Sequence, residues 1–261
     1  MKKFIWISIF AAAALAAVLC FSGFRNGEQK DNVVRVGMDA GYPPFGSQNV
    51  DTKEYEGFDV DIINAIGEEE GFKPEIKNIS FDGLIPSLNT NAIDIIINDL
   101  TVTEERKVSV DFSERYCTVG MGVVVRGDYN LINDAKDLEG KTLGVSIAST
   151  GEEAARHVKN ANVKVYNAIS DAFIELKNGG VDAVVNDTLT NDRYVSSQKD
   201  GSVKTTKISL NNEDLAIAVK KGNSELLKKI NDGLVKIKKN GKYAQIYKKW
   251  FGVEPAAELL K

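Results

Sequence analysis

From residue 33 onward the chain alternates short apolar runs with longer amphipathic segments. VVRVGM (33–38) reads as a strand, and YEGFDVDIINAIGEEEG (55–71) as a strand end passing into an amphipathic helix. KPEIKNIS (73–80) is a strand and FDGLIPSLNTN (81–91) a helix. AIDIIIND (92–99) is almost continuously apolar, the pattern of a strand covered on both faces of its sheet. TVTEERKVSVDFS follows, then GMGVVVRG (120–127) as a long strand. A second series runs KTLGVSI strand, STGEEAARHVKN helix, VKVYN strand, ISDAFIELKNGG helix, VDAVVND strand, LTNDRYVSSQ helix and VKTTKIS strand. DLAIAVKKG is one more strand, and residues 223–252 end the chain in helices.

Strands that alternate with helices predict parallel α/β sheets. The same grammar appears twice, without a fixed-period repeat: each half has a helix followed by an apolar strand ending in Asn-Asp, IDIIIND and VDAVVND. Two α/β lobes are expected, with GVVVRG and LAIAVKKG as the crossings between them. The predicted division is 1–30 as an export segment, 31–122 with 217–261 as lobe 1, and 123–216 as lobe 2. Ligands of open α/β sheets sit beyond the carboxyl ends of the strands. The segments after the strands at 33–38, 93–97, 142–147 and 181–185 are therefore expected to line a shared cleft.

Length permits this division, since 261 residues are enough for two domains of about 100 each. A net charge of −4 leaves no basic face for nucleic acid or an anionic membrane surface. The late lysines alternate with apolar residues at helical spacing and read as a solvated helix face.

The first thirty residues are a separate object. Lys2 and Lys3 precede the apolar run Phe4–Leu19, small residues follow at Cys20, Ser22 and Gly23, and the chain then turns polar, the layout of an export signal. Cys20 stands where a bacterial lipoprotein carries its lipidated cysteine, but Leu19 occupies the position before it where a small residue is expected. The mode of anchoring stays open between a cleaved signal, a Cys20 lipid and an uncleaved segment. Cys117 has no partner in the mature chain and reads as a small strand residue. The single histidine, His157, lies in a surface helix pattern, no GxSxG is present, and a zinc site lacks ligands. No metal and no cofactor is expected.

Four loops carry candidate chemistry. In DAGYPPFG, Pro43 and Pro44 predict a stiff extended turn that displays Asp39, Tyr42 and Phe45, or one whose aromatics simply pack locally. After the third strand come Asn98, Asp99, Thr101 and Arg106. A guanidinium grips a carboxylate with two parallel hydrogen bonds, although Glu104 and Glu105 are also placed to neutralise it as an exposed pair. Ser149 or Thr150 caps the helix beginning ASTGEE, and its first amides suit an anion as well. Asp187 either caps the helix that follows it or accepts from an ammonium. Together these place an arginine with hydroxyls on one lobe opposite an aspartate with cap amides on the other, which matches a zwitterion.

The chain resembles the polar amino-acid-binding proteins of bacterial ABC importers, the family 3 extracellular solute-binding proteins. The likeness runs in order from VVRVGMDAGYPPF through YEGFDVDIINAIGEEEG, FDGLIPSLNTNAIDIIINDLTVTEERKVSVDFSERY, LEGKTLGVSIASTGEE and LKNGGVDAVVND to LAIAVKKGNSELLKKINDGLVKIKKNGKYAQIYKKWFG, essentially the whole mature chain. It implies two Rossmann-like α/β lobes on a two-stranded hinge, the type II periplasmic-binding-protein fold, closing on one free amino acid. Arg106 and Thr101 would hold the α-carboxylate with amides near Thr150, and Asp187 the α-ammonium, helped by an acceptor on the loop at 98–101. Tyr42 and Phe81 would sandwich the side chain, and Asp39 would reach its polar end. Asp99 departs from the small Gly or Ser usual there, and Gly151 from a longer polar residue.

The expected function is capture of a polar amino acid outside the cytoplasmic membrane, in the periplasm or, if the chain is anchored through Cys20 or an uncleaved N-terminal segment, at the outer face of the cell membrane, for delivery to an ABC permease. A monomer is expected. Asp39 and Asp99 favour arginine or lysine, with glutamine as the rival. The alternatives are an enzyme like the cyclohexadienyl or arogenate dehydratases on this fold, with Asp39, Asp99 or Glu104 as the acid, and a ligand-sensing partner of a membrane receptor.

Overall fold

A computed structural model describes residues 32–261; the export segment and Cys20 lie outside the described residues. In chain order the elements are β1 (Val33–Met38), β2 (Gly41–Tyr42), β3 (Gly46–Gln48), β4 (Tyr55–Glu56), α1 (Phe58–Glu70), β5 (Lys73–Asn78), α2 (Leu84–Asn89), β6 (Ile95–Ile96), α3 (Glu104–Ser109) and β7 (Val110–Arg126). They continue with β8 (Thr142–Ser146), α4 (Thr150–Arg156), β9 (Asn162–Tyr166), α5 (Ile169–Asn178), β10 (Ala183–Asp187), α6 (Thr188–Ser197), β11 (Val203–Lys220), α7 (Ser224–Lys239) and α8 (Lys242–Phe251).

Eight strands form one ladder in the order β5-β1-β6-β11-β7-β10-β8-β9. At one end β1 pairs in parallel with β5 and β6; at the other β8 pairs in parallel with β9 and β10. Between them lie β7 and β11, long and antiparallel, matched from Val110 with Lys220 to Arg126 with Val203. Ala218 and Val219 of β11 join β6, while Met121–Val125 of β7 join β10, so the two long strands belong to both lobes and form the hinge. Register shifts interrupt their pairing between Thr205 and Ser209 and again between Leu215 and Ala218, and such bulges let a strand bend as it passes from one body to the other.

The hydrophobic cores separate in the same way. Two clusters, one around Ile62, Ile95, Ile217 and Tyr243 and one around Leu84, Ile93 and Val110, cover the two faces of the first parallel group. Two others, around Val123, Val145 and Val185 and around Val124, Phe173 and Leu176, cover the second.

Several elements differ from expectation. VKTTKIS and DLAIAVKKG are one continuous strand, because the polar stretch between them keeps its ladder with β7. GMGVVVRG is only the end of a strand that begins at Val110. Of the apolar run 92–99 only Ile95 and Ile96 are ladder strand, and the residues after them turn into the site. DAGYPPFG is not extended; it doubles back so that β2 and β3 pair, and the Phe45 amide donates to the Tyr42 carbonyl (3.1 Å). This hairpin is tied to α1, whose free amides at Phe58 and Asp59 donate to the carbonyls of Pro44 (2.9 Å) and Phe45 (3.0 Å). The approach requires glycine at position 57, where φ is +150° and a Cβ would lie 1.9 Å from the Phe45 carbonyl oxygen.

Candidate functional site

The loops after β1, β6, β8 and β10 meet around one cavity. It is lined by Asp39, Tyr42, Phe81, Asp99, Thr101, Arg106, Ser149, Thr150 and Asp187, joined by Asn98 and Asn186, and is narrow, with about 30 Å³ of space, partly open to solvent. All nine residues singled out in the sequence thus share one wall system, which the α/β topology explains: each lies at or beyond the carboxyl end of a strand.

On the first lobe, Thr103 caps α3 by accepting from the Arg106 amide (3.1 Å), which fixes where the Arg106 side chain starts. The guanidinium donates from Nη1 to the Thr101 carbonyl (2.9 Å) and from Nη2 across the cavity to the Ala148 carbonyl (3.0 Å), and it stacks 5.4 Å from the centre of the Phe81 ring. Glu104 does not neutralise it, because that carboxylate pairs with Lys107 in solvent. A guanidinium carries five N–H donors, so Arg106 keeps donors for a further acceptor. Burial lowers its pKa, with Glu213 and Asp187 opposing that effect, and an arginine stays charged under either influence.

Facing it, Ser149 caps α4 by accepting from the Glu152 amide (3.0 Å), while its own hydroxyl donates to the Ser146 carbonyl (2.7 Å). The Thr150 hydroxyl is also committed: it donates to Glu213 Oε2 (2.7 Å), the same oxygen that the Thr101 hydroxyl reaches from the other lobe (2.7 Å). Asp187 occupies the cap position of α6 but makes no side-chain cap bond. Its carboxylate faces the cavity, where Oδ2 lies 2.8 Å from the Tyr42 hydroxyl. That hydroxyl is also 2.7 Å from Asn186 Oδ1, so β2 reaches across to the other lobe.

Asp39 lies beside the floor of the cavity. Its amide donates to Asn98 Oδ1 (2.6 Å), its Oδ1 accepts from the Gly41 amide (2.9 Å), and burial raises its pKa. Asp99 is the least expected group. It sits in left-handed backbone at φ 48°, its amide donates to Asp59 Oδ2 (2.8 Å), and its carboxyl is aimed inward. Burial raises its pKa well above the carboxylate range, and the charges of Asp187 and Asp59 push the same way. Asp187 is raised as well, mainly by burial. Beneath them Asp59 is fully buried, and desolvation lifts it to about 7.

Glu213 and Asp59 are the residues that sequence reasoning missed. Asp59 lies within an amphipathic helix pattern and Glu213 in a polar stretch between two apolar runs, and neither period marks a residue buried beneath a cavity. Asn186 carried a signal, the Asn-Asp ending common to both strands. His157 is outside the cavity, in a broad open groove along its flank, with Nδ1 2.8 Å from the Glu153 carbonyl.

Comparison with known proteins agrees with this architecture. Residues 34–253 match the family of bacterial extracellular solute-binding proteins, family 3. The L-arginine-binding protein of Pseudomonas aeruginosa is 37% identical over 270 residues, covering 97% of this chain and 98% of the relative. The L-cystine-binding protein TcyJ of Escherichia coli (strain K12) is 31% identical over 234 residues, 89% of this chain and 87% of its own. Among solved structures, an ancestral arginine-binding protein bound to arginine superposes with a TM-score of 0.81 at 43% identity, covering 85% of this chain and 99% of that one. Among the described residues no helix is long and apolar enough to cross a membrane. With two α/β lobes, a two-stranded hinge and the match across residues 34–253, the chain belongs to the bacterial extracellular solute-binding proteins, family 3.

Proposed function

We propose that the protein binds one free cationic amino acid, arginine or lysine, outside the cytoplasmic membrane and delivers it unchanged to the permease subunits of an ABC importer. The observation that carries this reading is the charge pattern of the cavity: among the described residues Asp39, Asp99 and Asp187 line it together with a single cation, Arg106. A ligand carboxylate takes the remaining N–H donors of Arg106, helped by the Thr150 amide. The α-ammonium goes to Asp187, and a side-chain cation goes to Asp39 with Tyr42 and Phe81 on its flanks. The bodies that close on it are 31–122 with 217–261, and 123–216. The site faces the periplasm or the outer cell surface, with the anchor set by the export segment. Arginine-binding relatives support the side-chain class, and the cystine-binding relative shows how far it varies within comparable identity.

Glutamine is the rival, because a carboxylate at Asp39 also accepts from an amide. Calorimetry with the purified protein is expected to give tighter binding for arginine and lysine than for glutamine. Tight binding of glutamate or cystine with none of these three would overturn the assignment.

One feature favours a dehydratase-like second reading: Asp99 is a buried cavity carboxyl whose pKa burial raises well above the usual carboxylate range, the direction a general acid requires. Glu104, directed to solvent beside Lys107, has no such place. Loss of prephenate or arogenate from solution on adding the protein would establish turnover; unchanged substrate leaves the binding role.

A further inference from the structure

We infer that Asp99 and Asp187 form a two-carboxyl cation site that holds one shared proton until the ligand's α-ammonium displaces it, so that capture of an amino acid releases a proton. This rests on the amino-acid reading above and adds to it a role for Asp99.

The geometry carries the inference. Asp99 follows β6 and Asp187 ends β10, corresponding places in the two lobes, and they are only 5% and 8% exposed. Among the described residues no donor reaches either carboxylate oxygen of Asp99 or Oδ1 of Asp187. Both carboxyls line the same narrow cavity, and the charge of Asp187 bears on Asp99 there. Two carboxylates have only acceptors, so neither can satisfy the other unless one of them carries a proton. A buried pair of this kind avoids double ionisation.

The surroundings offer no other way to neutralise it. Asp59 lies below Asp99 from α1, with Tyr116 and Cys117 on β7; Glu213 approaches from β11 and Tyr42 from β2. All of these are acids or neutral groups. Arg106, the one cation near the pair among the described residues, directs the two N–H groups it uses to the carbonyls of Thr101 and Ala148. The Asp99 amide is bonded to Asp59 and cannot fold back on its own carboxylate.

An ammonium fits what remains. It has three N–H donors for the three oxygens without a partner, and its positive charge lets both carboxylates ionise together. The exchange balances. The free pair carries one proton and a charge of minus one; the loaded pair carries none, with the ammonium between two carboxylates and the proton in solvent. A hydroxyl or amide in that place leaves the proton where it is.

Calorimetry of L-arginine in phosphate and in Tris, which differ in ionisation enthalpy, counts protons directly. About one proton released per ligand is expected near neutral pH, with affinity improving about tenfold per pH unit while the free pair still holds its proton. 4-Guanidinobutyrate, which keeps the carboxylate and guanidinium but lacks the α-ammonium, is expected to release none. Asp99→Asn is expected to bind arginine at least about tenfold more weakly and without proton release, at a flat pH dependence; Asp99→Ser serves if that variant does not fold. Carboxyl carbon NMR of the free wild-type protein tests the held proton with no ligand present. Arginine binding without proton release, or a free protein in which every buried carboxyl has ionised by about pH 6, overturns this inference and leaves the transport reading intact. Failure of arginine, lysine and glutamine alike to bind overturns both.

Discussion

Arg106 contributes to the site through its shape as well as its charge. Its guanidinium bridges the two lobes through the Thr101 and Ala148 carbonyls and still presents donors to the cavity. Arg106→Ala is expected to weaken amino-acid binding by about 100-fold or more, since each charge-assisted hydrogen bond contributes about 1.5–3 kcal/mol. Arg106→Lys is expected to recover little of this, because an ammonium cannot span two carbonyls and grip a carboxylate in one plane. Calorimetry of both variants checks the assignment, and unchanged affinity in the alanine variant would remove Arg106 from the site. Asp59 makes a separate prediction about stability. Its folded pKa is raised from 3.8 to about 7 by burial, so the folded state holds a proton that the unfolded chain gives up. The stability this contributes is complete below about pH 4 and is lost as pH rises through about 7. Asp59→Asn keeps an acceptor for the Asp99 amide and cannot ionise. It is expected to flatten the pH dependence of the melting temperature between about pH 5 and 8, and to stabilise the alkaline side by an order of 2–4 kcal/mol. A variant that melts like the wild type at both ends of that window would show that Asp59 titrates in the folded protein as it does in the unfolded chain.

At the scale of elements, the hairpin β2–β3 and the start of α1 act as one unit, and Gly57 is its closest contact. An alanine there places Cβ 1.9 Å from the Phe45 carbonyl oxygen and forces a φ of +150° on a residue that avoids it. Gly57→Ala is therefore expected to cost about 3 kcal/mol or more of stability and to displace Tyr42, which chemical denaturation and ligand titration would show together. The alternation of strands and helices, the Asn-Asp endings of the two apolar runs and eight of the nine predicted cavity residues were legible in the sequence, because period and punctuation report which loops follow strand ends; Phe81 came from the family resemblance alone. Three things were not. The continuity of β7 and β11 depends on pairing between residues about a hundred positions apart, which no local period records. Asp187 took the cap position without capping, because the Tyr42 hydroxyl reaches its carboxylate instead. Glu213 became a site neighbour only because two hydroxyls from different lobes converge on it.

That convergence has its consequence at the scale of the whole molecule. Three sets of contacts cross the cavity: Tyr42 to Asn186 and Asp187, Arg106 to Ala148, and Thr101 and Thr150 through Glu213. The first two involve groups that the proposed function hands to the ligand, so binding rearranges them. Glu213 does not line the cavity, and it stands on the hinge strand β11. Asn211 holds its other oxygen at 3.0 Å, which leaves Oε2 to take one hydroxyl from each lobe. Those two bonds can exist together only while the lobes are close, so the carboxylate biases the free protein toward closure before any ligand contributes. Removing it shifts the equilibrium toward the open form and lowers the competent fraction by the same factor that apparent affinity falls. Glu213→Ala is expected to raise the radius of gyration of the free protein in small-angle scattering, to return to the wild-type value when saturated with ligand, and to weaken binding by about five- to tenfold. Free-protein scattering identical to the wild type would mean that the other crossings hold the lobes without it. An enlarged particle that the ligand fails to close would mean that Glu213 shapes the closed state itself rather than its population.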